Sequence, residues 1–489
     1  MMDRDQRILA ATAVFAMAWV IARAYVQAIT IDEATTYALF VQNSAPFHWL
    51  GSSNNHVLNT ALMRLTTRVF GVSEWSVRLP ALLGAAIYIG ACLRLCRRFN
   101  CGLPFTWALL VCLIYNPFIM DFLVAARGYG LALGFLMAGL VADHKRLASC
   151  AVASACIGLA FAANFSFAIA CGTVLAARFV WSWSERTHPL LKLLAAYALP
   201  AIAVTLLIPL PALLSFPTQE LWYGSRSLPE MLDGFYISSL FQLNEHVIGP
   251  KLHAVMLLNQ RWFYPALGVT FAAWAAYAIR NKLGRPELTR MAAVAGGAAA
   301  AAFLIHWTAF LAFGLLLPKE RTGIFFVPLA FAAVGAVGAI PPVSRVGRWL
   351  RTAFVAALLT VAVNNIASMR LMYFREWNWN EEGKQVYTVL NCLHEKHHIN
   401  SVASGWPFVS VLNFYRQTAT RDTFAAVPDT INNPEHVEVY VLETVLNPDL
   451  IEPKHLKVMW HGDATKAAIA LPPEQLAALE SSACWEIPH

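Results

Sequence analysis

About eleven stretches of roughly 20 mostly apolar residues run along the chain, near 8–28, 78–95, 103–121, 128–143, 147–163, 166–182, 190–210, 263–280, 291–315, 323–341 and 350–370. A run of that length crosses the ~30 Å hydrocarbon layer as a helix. Inside that layer every backbone polar group needs an internal partner, so a polytopic α-helical membrane protein is expected. Composition agrees. Only 13% of the residues are charged and 58% are hydrophobic, whereas a soluble domain carries about 25% charged residues. Soluble multidomain, disordered, coiled-coil and collagen-like chains are excluded by the same figures. The first stretch occupies the place of a signal peptide, yet it lacks a small-residue cleavage site and leads directly into an acidic motif, so it reads as a span.

Charge gives the expected topology. Basic residues gather at one set of span ends: Arg4/Arg7, Arg94/Arg97/Arg98, Lys145/Arg146, Arg178/Arg186/Lys192, Arg280/Lys282/Arg285/Arg290 and Arg345/Arg348/Arg351. The positive-inside rule assigns these loops and the N-terminus to the cytoplasm. An odd number of spans then puts the C-terminus outside, in a plasma (inner) membrane. Residues 1–370 form the expected transmembrane domain, with outer loops at 29–77 and 211–262. Residues 371–489 hold 8 Lys+Arg against 15 Asp+Glu. They read as a small extracytoplasmic α/β domain, with helices near 381–398 and 473–480 and strands near 436–443 and 455–460. Net positive charge elsewhere belongs to loops between spans, so nothing points to nucleic acid.

Seven of nine cysteines lie in or beside spans, where a thiol behaves as a small hydrophobe. Cys392 and Cys484 fall in the outer domain, and an oxidising compartment would allow them to join. Sequence alone does not say whether they meet. His394, His397 and His398 have metal-like helical spacing but read better as an exposed helix face.

The chemistry gathers on the outer side. After the first span comes Ile31-Asp32-Glu33-Ala34-Thr35-Thr36-Tyr37. Paired carboxylates at a membrane boundary are either a helix-start cap, with Thr30 or Asp32 capping and Glu33 near the positive end, or a general base tuned by its surroundings. The same loop carries Asn54-Asn55-His56 and an amphipathic run to Phe70. Asp121 and Ala126-Arg127-Gly128-Tyr129 follow, then Leu317-Pro318-Lys319-Glu320-Arg321-Thr322-Gly323. Bland readings exist for these too: an Arg127–Asp121 pair closing a loop, and Lys319 and Arg321 snorkelling to headgroups. The loop near 211–262 is rich in aromatics (Trp222, Tyr223, Phe235, Tyr236, Phe241, Trp262, Phe263). It reads as an interfacial belt or as a lid over a lipid substrate. Carboxylates and cations on one face, with spans almost free of charge, suit an enzyme acting on a lipid phosphate better than a transporter, which places ionisable groups near the midplane.

The Asp-Glu pair, Arg78-Leu79-Pro80, Ala126–Tyr129 and Pro318–Arg321 together resemble the integral-membrane GT-C glycosyltransferases, in their protein O-mannosyltransferase-like and aminoarabinose-transferase-like branches. The likeness covers about residues 1–340. It implies a polyprenyl-phosphate sugar donor and a lipid, glycan or protein acceptor. It also implies an inverting hexosyl or pentosyl transfer, with Asp32 as base and Glu33 orienting Asp32 or the acceptor. Arg321, Lys319 and Arg127 would then bind the donor phosphate. Tyr37, Asn55, His56 and Asp121 would position substrate, His56 being alternatively a helix cap. Relatives often carry Pro-Pro-Leu where this chain has Asn55–Asn59. No ligand spacing demands a metal, although a divalent cation is compatible with phosphate binding. The alternative is a transporter or flippase of lipid-linked sugars.

Overall fold

The computed structural model describes residues 4–42, 51–99, 101–216, 223–240, 243–419, 422–428, 437–445 and 447–487. Among the described residues, seven helices are long and apolar enough to cross a membrane: Arg4–Val26, Glu74–Phe99, Phe165–Ser184, Leu190–Leu207, Pro250–Arg280, Pro286–Phe313 and Arg345–Ala367. Four shorter apolar helices, Leu103–Ile114, Tyr129–Val141, Leu147–Ala163 and Phe326–Gly338, occupy the remaining expected stretches. The membrane architecture read from the sequence is therefore present; Leu147–Ala163 has the expected bounds, and the other three fall short of the expected lengths. The stretch at 103–121 breaks where Asn116 caps a new short helix and Pro117 cannot donate to the preceding turn. At 1.5 Å per residue, a helix of 12 or 13 residues rises only about 20 Å.

The chain forms two compact units. One comprises Met1–Ile21, Phe47–Leu62 and Pro80–Arg370; the other comprises Ala22–Pro46, Met63–Leu79 and Leu371–His489.

The first unit packs as membrane helices do, through small residues. A Cβ on Gly84 would fall 2.3 Å from the backbone of Gly130, and one on Gly134 would fall 2.4 Å from the Gly84 carbonyl. Helices Glu74–Phe99 and Tyr129–Val141 thus touch backbone to backbone, a separation that only glycine permits. Hydroxyls repair the ladder where proline interrupts it. Beside Pro200, Ser154 Oγ accepts from Ala201 N at 3.1 Å and donates to the Tyr197 carbonyl at 2.6 Å.

The second unit holds a four-stranded sheet of β1 (Val402–Ser404), β2 (Val439–Glu443), β3 (Lys457–His461) and β4 (Ala467–Leu471), in the order β1-β2-β4-β3. β1 and β2 are parallel and the other pairings antiparallel. Helix Trp406–Thr418 lies in the crossover between the parallel strands. Its Phe408 and Leu412 join Val386, Leu390, Val441 and Ile469 in the core. Cys392 and Cys484 are disulfide-bonded, with Cα atoms 5.7 Å apart, tying helix Gly383–His397 to the turn at Ala483–Glu486. The observed helices Gly383–His397 and Pro473–Leu479 and strands β2 and β3 lie where the outer domain was expected to have them. β1, β4 and helix Trp406–Thr418 were not foreseen.

Candidate active site

The acidic motif lies in the second unit, on the short helix Ile31–Thr36. Thr30 is its N-cap: its side chain accepts from Glu33 N at 3.2 Å, and Glu33 Oε2 accepts from Thr30 N at 3.0 Å. This reciprocal capping box satisfies two of the backbone donors that a helix start leaves open. The helix-start reading therefore holds, but for Thr30 and Glu33. Asp32 is half-buried in the first turn between them.

Glu33 is fully buried and so is its partner Arg78. The guanidinium donates from Nε to Glu33 Oε1 at 3.0 Å and from Nη2 to Oε2 at 2.7 Å. Its other hydrogens go to the carbonyls of Ala24, Gln27 and Ala28 at 3.2, 2.7 and 2.8 Å. These include the otherwise open carbonyls at the end of helix Arg4–Val26. The face of Phe374 lies 5.2 Å from the guanidinium carbon. A two-pronged pair of this kind holds a geometry rigidly. Glu33 is thus an anchor for the segment that carries Asp32.

The sheet unit completes the anchoring. Ile31 N donates to Asn380 Oδ1 at 2.9 Å, while Asn380 Nδ2 donates to the Pro407 carbonyl at 2.8 Å. Ile29 N donates to the Tyr415 hydroxyl at 3.0 Å, and Thr35 and Ser410 hydroxyls meet at 3.0 Å. Tyr37 packs edge-on against Phe414. Next to Asn380, burial and the neighbouring Glu382 push the Glu381 carboxyl up to about 7. Glu382 itself accepts from the backbone N–H groups of Ala464 and Thr465 at 2.9 and 3.1 Å.

The cations gather in the first unit around His56, which is 3% exposed. The backbone of His56 opens helix Val57–Phe70, accepting from Thr60 N at 2.8 Å. Its side chain does not cap that helix, since both ring nitrogens are buried and lack a hydrogen-bond partner. Gly128 (φ +74°) allows the close approach: a Cβ there would lie 2.2 Å from the Ala163 carbonyl and 3.0 Å from His56 Cβ. Tyr129 meets the imidazole edge-on, with ring centroids 5.6 Å apart. Arg127 Nη2 donates to Asn54 Oδ1 at 2.7 Å, and Asn59 Nδ2 donates to the Ala126 carbonyl at 3.0 Å. Burial, and then the charges of Arg127 and Arg321, hold the imidazole well below its usual range.

Arg321 sits on the turn Glu320–Gly323. Tyr129 packs on Phe167 and Phe167 on Phe325, linking the turn's exit to the His56 neighbourhood. The antiparallel bridge between Ser225 and Leu317 holds the turn's entry. Arg321 lies 4.8 Å from the centre of the Tyr223 ring, whose hydroxyl donates to Glu320 at 3.2 Å. Glu320 adopts a left-handed backbone (φ +42°), a strained choice for a residue with a Cβ.

The other candidates are placed as follows. Lys319 pairs with Glu230 at 3.2 Å rather than reaching headgroups alone. Asp121 pairs with the buried Arg370 at 2.7 Å. Asn55 Oδ1 accepts from the Thr60 hydroxyl at 2.9 Å, inside the loop that presents His56. Thus His56, Asn55, Asp121, Arg127, Lys319 and Arg321 belong to one unit, and Asp32, Glu33 and Tyr37 to the other. His394 and His397 each spend a ring nitrogen locally, on the Ile399 carbonyl and on Ser482 Oγ. Among the described residues no three His, Cys, Asp or Glu side chains form a metal-binding group. Of the aromatic loop, Trp222 and Phe241 lie outside the described residues. Phe235, Tyr236, Ser239, Tyr264, Phe271 and Phe326 line an apolar cavity of about 350 Å³.

Arg78, Arg370, Asn380 and Tyr415 were missed as partners. An isolated arginine at the edge of an apolar span was the available signal for the first two. Asn380 and Tyr415 left none.

No protein-family model and no curated protein matches the chain. Two solved structures align with 95% of it and with 97% of their own length, both at 14% identity. They are ArnT from Cupriavidus metallidurans in the apo state (TM-score 0.41) and the same protein bound to undecaprenyl phosphate (TM-score 0.47).

Proposed function

We propose that the protein is a membrane glycosyltransferase that moves a sugar from a polyprenyl-phosphate donor to a lipid, glycan or protein acceptor outside the plasma membrane. The observation that carries this reading is the buried imidazole of His56, whose two ring nitrogens have no hydrogen-bond partner and on which the charges of Arg127 and Arg321 act. The apolar cavity is bordered by Phe235, which packs against Gly323 in the Arg321 turn, and it suits the first isoprenoid units of a lipid tail. The basic span ends favour a cytoplasmic N-terminus and an extracytoplasmic domain from residue 371.

In the reaction, the acceptor oxygen attacks the anomeric carbon and its proton passes to Asp32. The bond from that carbon to the phosphate oxygen breaks, and the lipid leaves as a phosphate monoester. Attack opposite the leaving group inverts the anomeric centre, for a hexosyl or pentosyl donor alike. Arg321 and Arg127 stabilise charge that grows on the phosphate in the transition state, with Lys319 lending positive potential. A guanidinium suits this through two-pronged contact. Glu33 holds the Asp32 segment through Arg78, and Tyr37, Asn55 and Asp121 shape the surroundings of the substrates.

The test uses protein in nanodiscs with a panel of radiolabelled polyprenyl-phosphate sugars and a crude membrane acceptor. Wild type should transfer or release the sugar. Asp32→Asn, nearly isosteric, should lose 10²–10⁴-fold in kcat with an unchanged melting midpoint. Retention of turnover by Asp32→Asn would remove the base. A wild type that consumes none of the donors would remove the enzyme.

A further inference from the structure

A glycosyl phosphodiester carries one negative charge; the monoester it leaves behind carries close to two at neutral pH, its second pKa lying near 6. A site built for this reaction has to meet one more unit of charge after the bond breaks than before. Fixed guanidiniums cannot adjust to that change, because they stay protonated throughout. An imidazole can.

His56 is placed for the task. It is 3% exposed, and both ring nitrogens are buried without a hydrogen-bond partner. Leaving such a group unsatisfied is costly, because burial removes the water that would otherwise bond it. A helix cap would have relieved that cost, yet the side chain makes no such bond. Gly128 is required for the ring's approach, and Tyr129 supports its edge, so the orientation is built rather than incidental. The charged groups facing it are Arg127, on the segment leading into Tyr129–Val141, and Arg321, on the Glu320–Gly323 turn. Tyr129 is the titratable side chain of the packed helix. Asp121, seven residues before Gly128, has its carboxylate against Arg370.

We propose that His56 is a phosphate-binding residue that stays neutral beside the donor diester and takes up one proton from solvent when the dianionic monoester occupies the site. This rests on the donor-phosphate reading above. The balance is simple. The acceptor hydroxyl loses its proton to Asp32, His56 gains one from bulk water, and both revert when the lipid monophosphate leaves. Before the bond breaks, the neutral imidazole offers one N–H donor to the diester. Afterwards a cation lies against the dianion, and the charges of the two arginines add their attraction to it. His56 thereby favours the state in which charge has moved onto phosphate.

The experiment is calorimetric titration of the full-length protein in detergent at pH 7.5, with polyprenyl monophosphate and with the methyl diester of the same lipid. Each is run in HEPES and in Tris, whose different ionisation heats report proton uptake. For wild type we expect uptake approaching one proton with the monoester and none with the diester. His56→Gln should abolish the uptake and weaken the monoester at least tenfold, while changing diester affinity less than threefold. Binding without uptake by wild type overturns the proposal, whatever the variant does. So does uptake that persists in His56→Gln, or that is equal for both lipids. If neither lipid binds wild type, the donor reading fails and this inference with it. Loss of both lipids on Arg321→Ala, with wild-type uptake intact, keeps the two ideas separate.

Discussion

The buried sites around Arg78 and around His56 are built on opposite principles. Around Arg78, the guanidinium makes five hydrogen bonds, to a buried carboxylate and three carbonyls, and an aromatic face covers it. Around His56, a buried ring has two nitrogens with no partner and two cationic neighbours. Burial is the same in both, but satisfaction is not. A saturated buried network specifies a conformation; an unsaturated one stores a demand that a ligand meets. The first site therefore reads as scaffold; the second is the one proposed above to receive phosphate.

Mutations break the comparison most strongly at the saturated end. Arg78→Ala strands the Glu33 carboxylate in a dry interior and should destabilise the second unit by about 3–5 kcal/mol. Hydrogen exchange should show the loss first at 29–36, together with lost turnover. A melting midpoint unmoved by Arg78→Ala would mean the pair is ornament. Smaller is removal of the Cys392–Cys484 crosslink: Cys392→Ser with Cys484→Ser should lower stability by about 2–4 kcal/mol. That loss should appear in exchange of the sheet and leave the His56 region untouched.

Acidity sharpens the contrast, because the two units respond with opposite sign. Glu381 ionises near 7 in the folded chain but near its ordinary 4.5 when unfolded. The folded state therefore binds more protons between those values. Its contribution is complete below 4.5 and is lost as pH rises through 7. Glu381→Gln should stabilise the second unit at pH 8 by roughly 1–2 kcal/mol and flatten its pH dependence. His56 behaves inversely. Its folded pKa is depressed, so stability present above 6.5 declines as pH falls below that value. At one pH unit below, the loss is roughly 1 kcal/mol, and His56→Gln should erase it. Exchange rates for the two units, measured from pH 5 to 8, test both at once.

The sequence made some of this legible and concealed the rest. The apolar helices could be read because each must satisfy its own backbone in lipid, so length and hydrophobicity suffice. The short breaks, as at Asn116-Pro117, were hidden by the continuous hydrophobicity around them. His56 could be singled out as an odd residue in its loop. Its orphaned state could not, since that depends on Gly128 and Tyr129 more than 70 positions away. Glu33 and Arg78 were visible separately, but their pairing, 45 residues apart, was not. β1 is only three residues long, and β4, Ala467–Leu471, is buried throughout and shows no alternation. Asp32 lies on a segment secured by Asn380 and Tyr415, ordinary residues with no local signal.

That securing has a consequence for how the protein is made. Asp32 leaves the ribosome early, whereas the groups that fix its backbone, Asn380 and Tyr415, lie some 350 to 390 residues later in the chain. Until the last quarter of the chain has been synthesised and β1 and helix Trp406–Thr418 have folded, the acidic segment has nothing to dock against. The Asp32 segment thus stays unsecured for most of the chain's own synthesis. Under the proposed function, turnover would begin only once those later residues are in place, and a product terminated before them should be a silent protein rather than an unregulated one.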